Sequence, residues 1–158
     1  EELAGMLYEN SDEPYCEELA KAITTEIRKG NRIDTTTKLR NVIEKTLDFL
    51  PNNKEKKDII KKTCQRTFQA LRIDVNNEFE VLYEFMEKLP GALKPGGRVA
   101  ILTFHSGEDK LVKKALKAGY KEGIYSEYAR DVVRPSAQEC AQNGRARSTK
   151  MRWAVKAE

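Results

Sequence analysis

The stretch Leu93–Asp109, LKPGGRVAILTFHSGED, decides the fold of the second half of this 158-residue chain. Its glycines after Pro95 predict a tight turn. The nearly continuous apolar run Arg98–Phe104 predicts a strand of a parallel sheet that is buried on both faces. Polar residues follow directly at the carboxyl end of this strand, which is where open α/β sheets bind their ligands.

Periodic apolar residues extend in both directions from this strand. Upstream, a stripe from Val75 to Leu89 predicts a helix that ends at Pro90-Gly91. Downstream, a helix is predicted over Glu108–Ala118, then a strand around Tyr128–Val133, a short helix after Ser136 and a final strand in which Met151, Trp153 and Val155 alternate with other residues. The second half is therefore predicted to be α/β.

The first half has helical spacing throughout. One helix is capped by Ser11 or Asp12 and ended by Gly30, and the next is opened by Asp34 or Thr35. The charged run Lys54–Lys62 is predicted to be a solvated helix or loop. The change from all-helical to α/β character places a boundary between residues 62 and 68.

Composition excludes several classes of protein. Hydrophobic residues make up 39% and charged residues 34% of the chain, and no apolar run approaches the ~20 residues of a membrane span. The three cysteines form no C-x-x-C, and a single histidine gives no basis for a zinc site. Unpaired cysteines suit a reducing compartment. The Arg-rich last fifteen residues suit either phosphate contacts or a charged strand edge, and both interpretations stay open.

His105, Ser106 and Asp109 are the candidate site residues at the end of the predicted strand. For Ser106 and Asp109 the competing interpretation is a helix N-cap and its capping box. A serine hydrolase is excluded because the stretch lacks Gly-x-Ser-x-Gly and the chain has no second histidine. Glycine fingerprints for dinucleotides or for nucleoside triphosphates are absent from the sequence.

A second candidate surface lies on the stretch Arg66–Ile73, RTFQALRI, and continues to Asn76. Arginine can hold phosphate, glutamine and asparagine can read base edges, and Phe68 can stack on a base. The alternative is an ordinary helix that packs Phe68 inward and turns its polar face to water.

These motifs occur together in an order that resembles one family. RTFQALRI, Val75–Glu78, LKPGGRV, FHSGED, Arg134–Ser136 and Arg145–Ser148 resemble the S-adenosylmethionine-dependent methyltransferases of the MraW/RsmH type, which modify N4 of a cytidine in small-subunit (16S) ribosomal RNA. The sequence departs from the family at Gly107, where leucine is usual, and at Gly144, where proline is usual. Neither change removes a polar group.

The resemblance implies an α/β fold: the C-terminal part of a Rossmann-like class I methyltransferase sheet with an all-helical inserted cap domain. Residues 1–64 would be the cap, residues 65–158 the C-terminal half of the methyltransferase domain, and Arg98–Phe104 its fifth strand. The N-terminal half with the cofactor motifs is absent from these residues. We therefore expect the fragment alone to be inactive and its sheet to expose an unpaired edge.

The resemblance places several polar residues in family motifs, and from these positions we infer their roles. His105 and Ser106 are the predicted catalytic pair, with His105 accepting a hydrogen bond or a proton from the cytidine amine. The predicted substrate-binding residues are Arg66, Gln69, Arg72, Asn76, Glu108, Asp109, Arg134, Arg145 and Arg147.

The expected cofactor is S-adenosylmethionine, bound by the complete protein at residues that this sequence does not identify, and no metal is expected. The expected partner is small-subunit ribosomal RNA or the 30S subunit, with no membrane and with a homodimer left open. The expected compartment is the bacterial cytoplasm, or an organelle matrix or stroma. A non-catalytic RNA-binding module is the alternative function, and a helical protein-interaction domain is a third.

Overall fold

The computed structural model describes all 158 residues, which divide into two compact units, Glu1–Asn77 and Glu78–Glu158. The sequence-predicted division between residues 64 and 65 falls inside a continuous helix of the first unit. The assignment of the two parts to a cap and to half of a methyltransferase domain stays a prediction. None of the helices combines the length and apolar character that crossing a membrane requires.

The first unit consists of four helices: α1 (Glu2–Ser11), α2 (Cys16–Arg28), α3 (Thr36–Thr46) and α4 (Lys54–Asn76). They pack around one apolar core in which Leu7, Leu19, Ile43 and Leu47 are fully buried. Thr35 caps α3 as the sequence predicted, because its side chain accepts a hydrogen bond from the backbone N–H of Lys38.

Helix boundaries in this unit differ from the prediction at three places. Ser11 is the last residue of α1 and Asp12 its left-handed C-cap, so neither caps α2, which begins after Tyr15 without a side-chain cap. The charged run after Asn53 is the start of α4, because the Asn53 side chain caps it there. Val75 belongs to the end of α4 and is 77% exposed, so it is not part of a buried stripe.

The second unit contains α5 (Glu78–Ala92), β1 (Arg98–Thr103), α6 (Ser106–Lys121), β2 (Tyr125–Tyr128), α7 (Ala137–Gln142), a 3₁₀ helix (Gly144–Ser148) and β3 (Lys150–Lys156). Helix α5 does not stop at Pro90, since proline in the last turn removes only one intrahelical hydrogen bond. The predicted strand after Tyr128 is also wrong, because β2 ends there and Val133 forms a single bridge to Met151.

The three strands form a sheet in the order β1-β3-β2, and every pairing is antiparallel. One face packs on α5 and α6, with Val99, Ile101 and Ala154 in the core around Val112 and Leu116.

The opposite face carries Ala100 and Leu102 of β1 beside Trp153 and Met151 of β3, and Leu102 is 56% exposed. Within these residues β1 has only an antiparallel partner and one open face, so the predicted parallel pairing and second buried face stay predictions for the complete protein. An apolar run predicts a strand, but it does not specify the direction of the partner strand.

Candidate functional site

The candidate site in the second unit is the junction between β1 and α6. His105 lies there in extended conformation as the N-cap of α6, and its Nδ1 accepts a hydrogen bond from the backbone N–H of Glu108 at 3.4 Å. Ser106 is the first residue of the helix and is exposed, so the prediction that it caps α6 is wrong. The His105 side chain takes that place, and only 10% of it is exposed.

The N-cap hydrogen bond determines which ring nitrogen of His105 carries the proton. Because Nδ1 uses its lone pair to accept the Glu108 N–H, the neutral ring carries its proton on Nε2. Glu108 Oε1 lies 3.5 Å from that nitrogen, and Glu108 Oε2 accepts a hydrogen bond from the Phe104 N–H at 3.0 Å. The neutral ring therefore presents a donor, not a lone pair, toward the Glu108 carboxylate.

Glu78, at the start of α5, joins this junction. Glu78, His105 and Glu108 each offer one ligand atom, and these atoms lie within 4.8 Å of one another. Glu78 belongs to one of the family motifs, but no role was predicted for it from the sequence. The sequence signal for Glu78 was its position in a family motif. No local sequence pattern links it to His105, which is distant along the chain.

One nitrogen and two carboxylate oxygens could hold a divalent cation such as Zn²⁺ or Mn²⁺. A histidine that ligates a metal usually donates its other ring N–H to an acceptor. Here Nδ1 faces the Glu108 N–H, which is a donor. The geometry therefore favours a cluster of His105 with two carboxylates over a metal centre.

Phe79 and Gly107 pack beside the His105 ring. The Phe79 ring meets the imidazole edge-on, with ring centroids 5.9 Å apart. A Cβ at Gly107 would lie 2.7 Å from Cζ of Phe79. The missing side chain at Gly107 thus leaves the space that the Phe79 ring occupies.

Asp109 forms a buried, bidentate ion pair with Arg152 of β3. The two hydrogen bonds measure 2.7 and 3.2 Å, and Arg152 also donates to the carbonyls of Ala129 and Arg130. Hydrogen bonding from Arg152 lowers the pKa of Asp109. This ion pair gives the buried Asp109 carboxylate a structural role. The predicted contact of Asp109 with substrate stays a prediction.

The predicted base-reading residues of α4 bond within the first unit. Arg66 Nη1 lies 3.8 Å from Oε2 of Glu13, a fully buried carboxylate whose pKa is raised by burial. Gln69 donates to the Asn10 carbonyl at 3.5 Å, and Asn76 donates to the Arg72 carbonyl at 2.9 Å.

Phe68 packs against the apolar core of the first unit, and Arg72 is exposed. These positions agree with the polar face of a packed helix, and the predicted contacts of α4 with RNA stay predictions.

The remaining predicted arginines lie in the irregular part of the second unit. Arg145 and Arg147 belong to the 3₁₀ helix, whose first N–H groups are capped by Asn143, and Arg134 precedes Ser136, the N-cap of α7. All three are exposed and none forms an ion pair. Their charge is therefore available to an anionic partner.

Comparison with known proteins gives a consistent picture. The profile of the MraW methylase family matches residues 1–157. "Ribosomal RNA small subunit methyltransferase H 1" of Agathobacter rectalis is 89% identical over 158 residues, which is the whole chain and 45% of that protein.

The protein of the same name from Lachnoclostridium phytofermentans is 70% identical over 156 residues, or 99% of the chain and 42% of that protein. "Ribosomal RNA small subunit methyltransferase H" of Rickettsia prowazekii is 36% identical over 173 residues, or 99% of the chain and 54% of that protein. The chain thus spans about half the length of the curated relatives it matches.

Proposed function

The chain belongs to the MraW methylase family, and from this membership we propose that it is the C-terminal part of an S-adenosylmethionine-dependent methyltransferase that modifies the N4 amine of a cytidine in small-subunit ribosomal RNA. The observation that carries the proposal is the family match over residues 1–157, together with relatives named as ribosomal RNA small subunit methyltransferases. The complete protein would act on ribosomal RNA or the 30S subunit in the bacterial cytoplasm.

The sheet supports a larger α/β fold around this chain. β1 is an edge strand here, and the face with Leu102 and Trp153 is apolar and partly open. Sheets in α/β proteins are covered on both faces, and a mixed sheet can combine antiparallel strands with parallel ones. The remaining half of the relatives' length is sufficient to supply strands beside β1 and helices over the open face. We propose that this completes a Rossmann-like domain into which the first unit is inserted as a helical cap.

The cofactor would supply a methyl group on a sulfonium. The first turn of α6 does not fit the carboxylate end of that cofactor, because His105 caps it and it carries Glu108 and Asp109. We assign the cofactor pocket to the part of the relatives that this chain does not cover.

Residues of this chain would act on the cytidine amine. This amine donates hydrogen bonds through its N–H groups, and it loses a proton on methylation. The Glu108 and Glu78 carboxylates are suited to accept those hydrogen bonds. The Phe104 N–H bonds to Glu108 Oε2, and the His105 ring lies beside Glu108, with Nε2 3.5 Å from Oε1.

The test is methyl transfer by the complete protein to 30S subunits that lack the modification. We expect N4-methylcytidine in the ribosomal RNA by mass spectrometry, and its loss when Glu108 is changed to Gln. Lys110→Ala, an exposed change on the same helix, serves as the control. RNA binding without any methylated product would instead support the non-catalytic RNA-binding module. Methylation of another nucleotide would contradict the proposed substrate.

A further inference from the structure

A concave surface of the first unit lies outside the junction described above. The α2–α3 groove, as we name it, has a volume of about 940 Å³ and lies between α2, the connection after Gly30, and α3. That volume is at the upper end of the roughly 300–1,000 Å³ typical of ligand clefts. No role was predicted for its residues from the sequence.

The groove is cationic. Lys21, Arg32, Lys38 and Lys45 line it, against only two carboxylates. Lys38 bonds to Asp34 at 2.7 Å, but the other three form no ion pair within the chain. Unpaired cations on several sides of one cleft focus a positive potential there, which attracts a polyanion.

The two carboxylates reduce this potential only in part. Glu26 accepts a hydrogen bond from Asn31 at 2.7 Å and lies 3.8 Å from Lys29, so its charge is already balanced locally. Glu18 is exposed on α2 without an ion pair. One uncompensated acid therefore faces three uncompensated bases.

The floor of the groove is apolar. Ala22, Ile33 and Val42 line it and are partly buried, so the groove offers uncharged apolar surface beside the cations. Asn41 also lines the groove, and its amide makes no hydrogen bond within the chain. A single strand of RNA offers the matching groups: unstacked base faces for the floor, base edges for an amide and phosphates for the cations. In a duplex the base faces are hidden.

We propose that the α2–α3 groove binds a short single-stranded segment of RNA, with Lys21, Arg32 and Lys45 on its phosphates. This inference rests on the proposed function, because it takes RNA as the class of substrate. It adds a second contact surface for the RNA, on the first unit.

The test measures the affinity of the complete protein for oligouridylate, which stays single-stranded, across a series of salt concentrations. The variant is Lys21→Ala/Lys45→Ala. The matched control is Lys57→Ala/Lys61→Ala, which removes the same charge from exposed positions of α4 without an ion pair. Each lost phosphate contact lowers the salt slope by about 0.7 on single strands. We therefore expect the groove variant to lose about 1.4 in slope and roughly tenfold in affinity, and the control to stay within about twofold.

Equal losses in the two variants would overturn the groove as the binding surface, and so would groove-dependent binding of duplex RNA in preference to the single strand. If the wild-type protein methylates 30S subunits while the groove variant matches the control, only this inference fails. If the wild-type protein neither binds RNA nor methylates it, the proposed function fails as well.

Discussion

Asp109 and Arg152 form a buried ion pair, with side chains 13% and 6% exposed. Removing one partner leaves an uncompensated buried charge, so we expect Asp109→Asn to lower the free energy of unfolding by about 3 kcal/mol. The matched control is Asp58→Asn, which breaks the exposed pair with Lys62 and should leave stability nearly unchanged, because water already screens that pair. Urea unfolding of both variants makes the comparison, and equal losses would contradict a structural role for the Asp109 pair.

The same pair has a signature in the pH dependence of stability. Because Arg152 lowers the pKa of Asp109, its stabilisation is present above the unfolded pKa of about 4 and is lost as pH falls through the folded pKa. Burial raises the pKa of Glu13, so its contribution is present below its unfolded pKa of about 4.3 and is lost as pH rises through the folded pKa. In the Asp109→Asn variant, the free energy of unfolding should therefore fall less steeply as pH is lowered. The part of the pH dependence that comes from Glu13 should stay unchanged.

His105 combines a structural role with a proposed chemical one, and two substitutions separate them. Asparagine is a good N-cap, so His105→Asn should keep the stability of the protein, whereas His105→Ala should lose about 1 kcal/mol. Asparagine replaces neither the ring nor its Nε2–H, so we expect both variants to lose methyl transfer by about 10²-fold or more. Full activity in the asparagine variant would show that His105 acts only as a cap.

At the scale of residues, the sequence predicted the junction between strand and helix better than the arrangement of side chains within it. The strand-to-helix change after Phe104 marked the junction correctly. Ser106 has the stronger intrinsic preference for the N-cap, but the tertiary environment placed the His105 ring there instead. Glu78 was assigned no role because its proximity to His105 depends on how α5 packs, which periodicity does not reveal.

At the scale of elements, replacing two helical glycines by alanine should change the stability of the protein in opposite directions. Gly5 in α1 has no atom within 4 Å of the point where a Cβ would lie, so Gly5→Ala should stabilise by roughly 0.5–1 kcal/mol through helix propensity. At Gly119 in α6 a Cβ would lie 2.6 Å from the buried ring of Tyr125, so Gly119→Ala should destabilise by about 1–3 kcal/mol through overpacking. Thermal unfolding of both variants measures the two effects, and stabilisation at Gly119 would contradict the close packing of α6 on Tyr125.

Helices were more predictable than strand pairings for a physical reason. A helix buries a stripe that its own sequence displays, so α2, α3 and α6 were recognisable from the spacing of their apolar residues. The antiparallel partner of β1 lies in β3, at the far end of the chain, and no local pattern identifies it. The predicted division between residues 64 and 65 falls inside α4, because the charged start of this continuous helix resembles a solvated loop in the sequence.

At the scale of the whole molecule, the two units differ in how completely they bury their apolar surface. The first has its own closed helical core. The second covers only one face of its sheet, and Leu102 lies on the open face whereas Val99 lies on the covered one. We therefore expect residues 1–77, expressed alone, to unfold cooperatively, and residues 78–158 to aggregate and bind a hydrophobic dye.

One substitution then tests whether the open face is covered in the complete protein. In the isolated second unit, Leu102→Lys should raise solubility because it charges an exposed apolar face, whereas Val99→Lys should prevent folding because it places a charge in the core. In the complete protein the remaining half of the sequence is proposed to cover that face, so Leu102→Lys should destabilise it by about 2 kcal/mol or more. The same change would thus have opposite effects in the part and in the whole. Equal tolerance of Leu102→Lys in both would mean that the face stays open, and the proposed Rossmann-like completion of the sheet would be wrong.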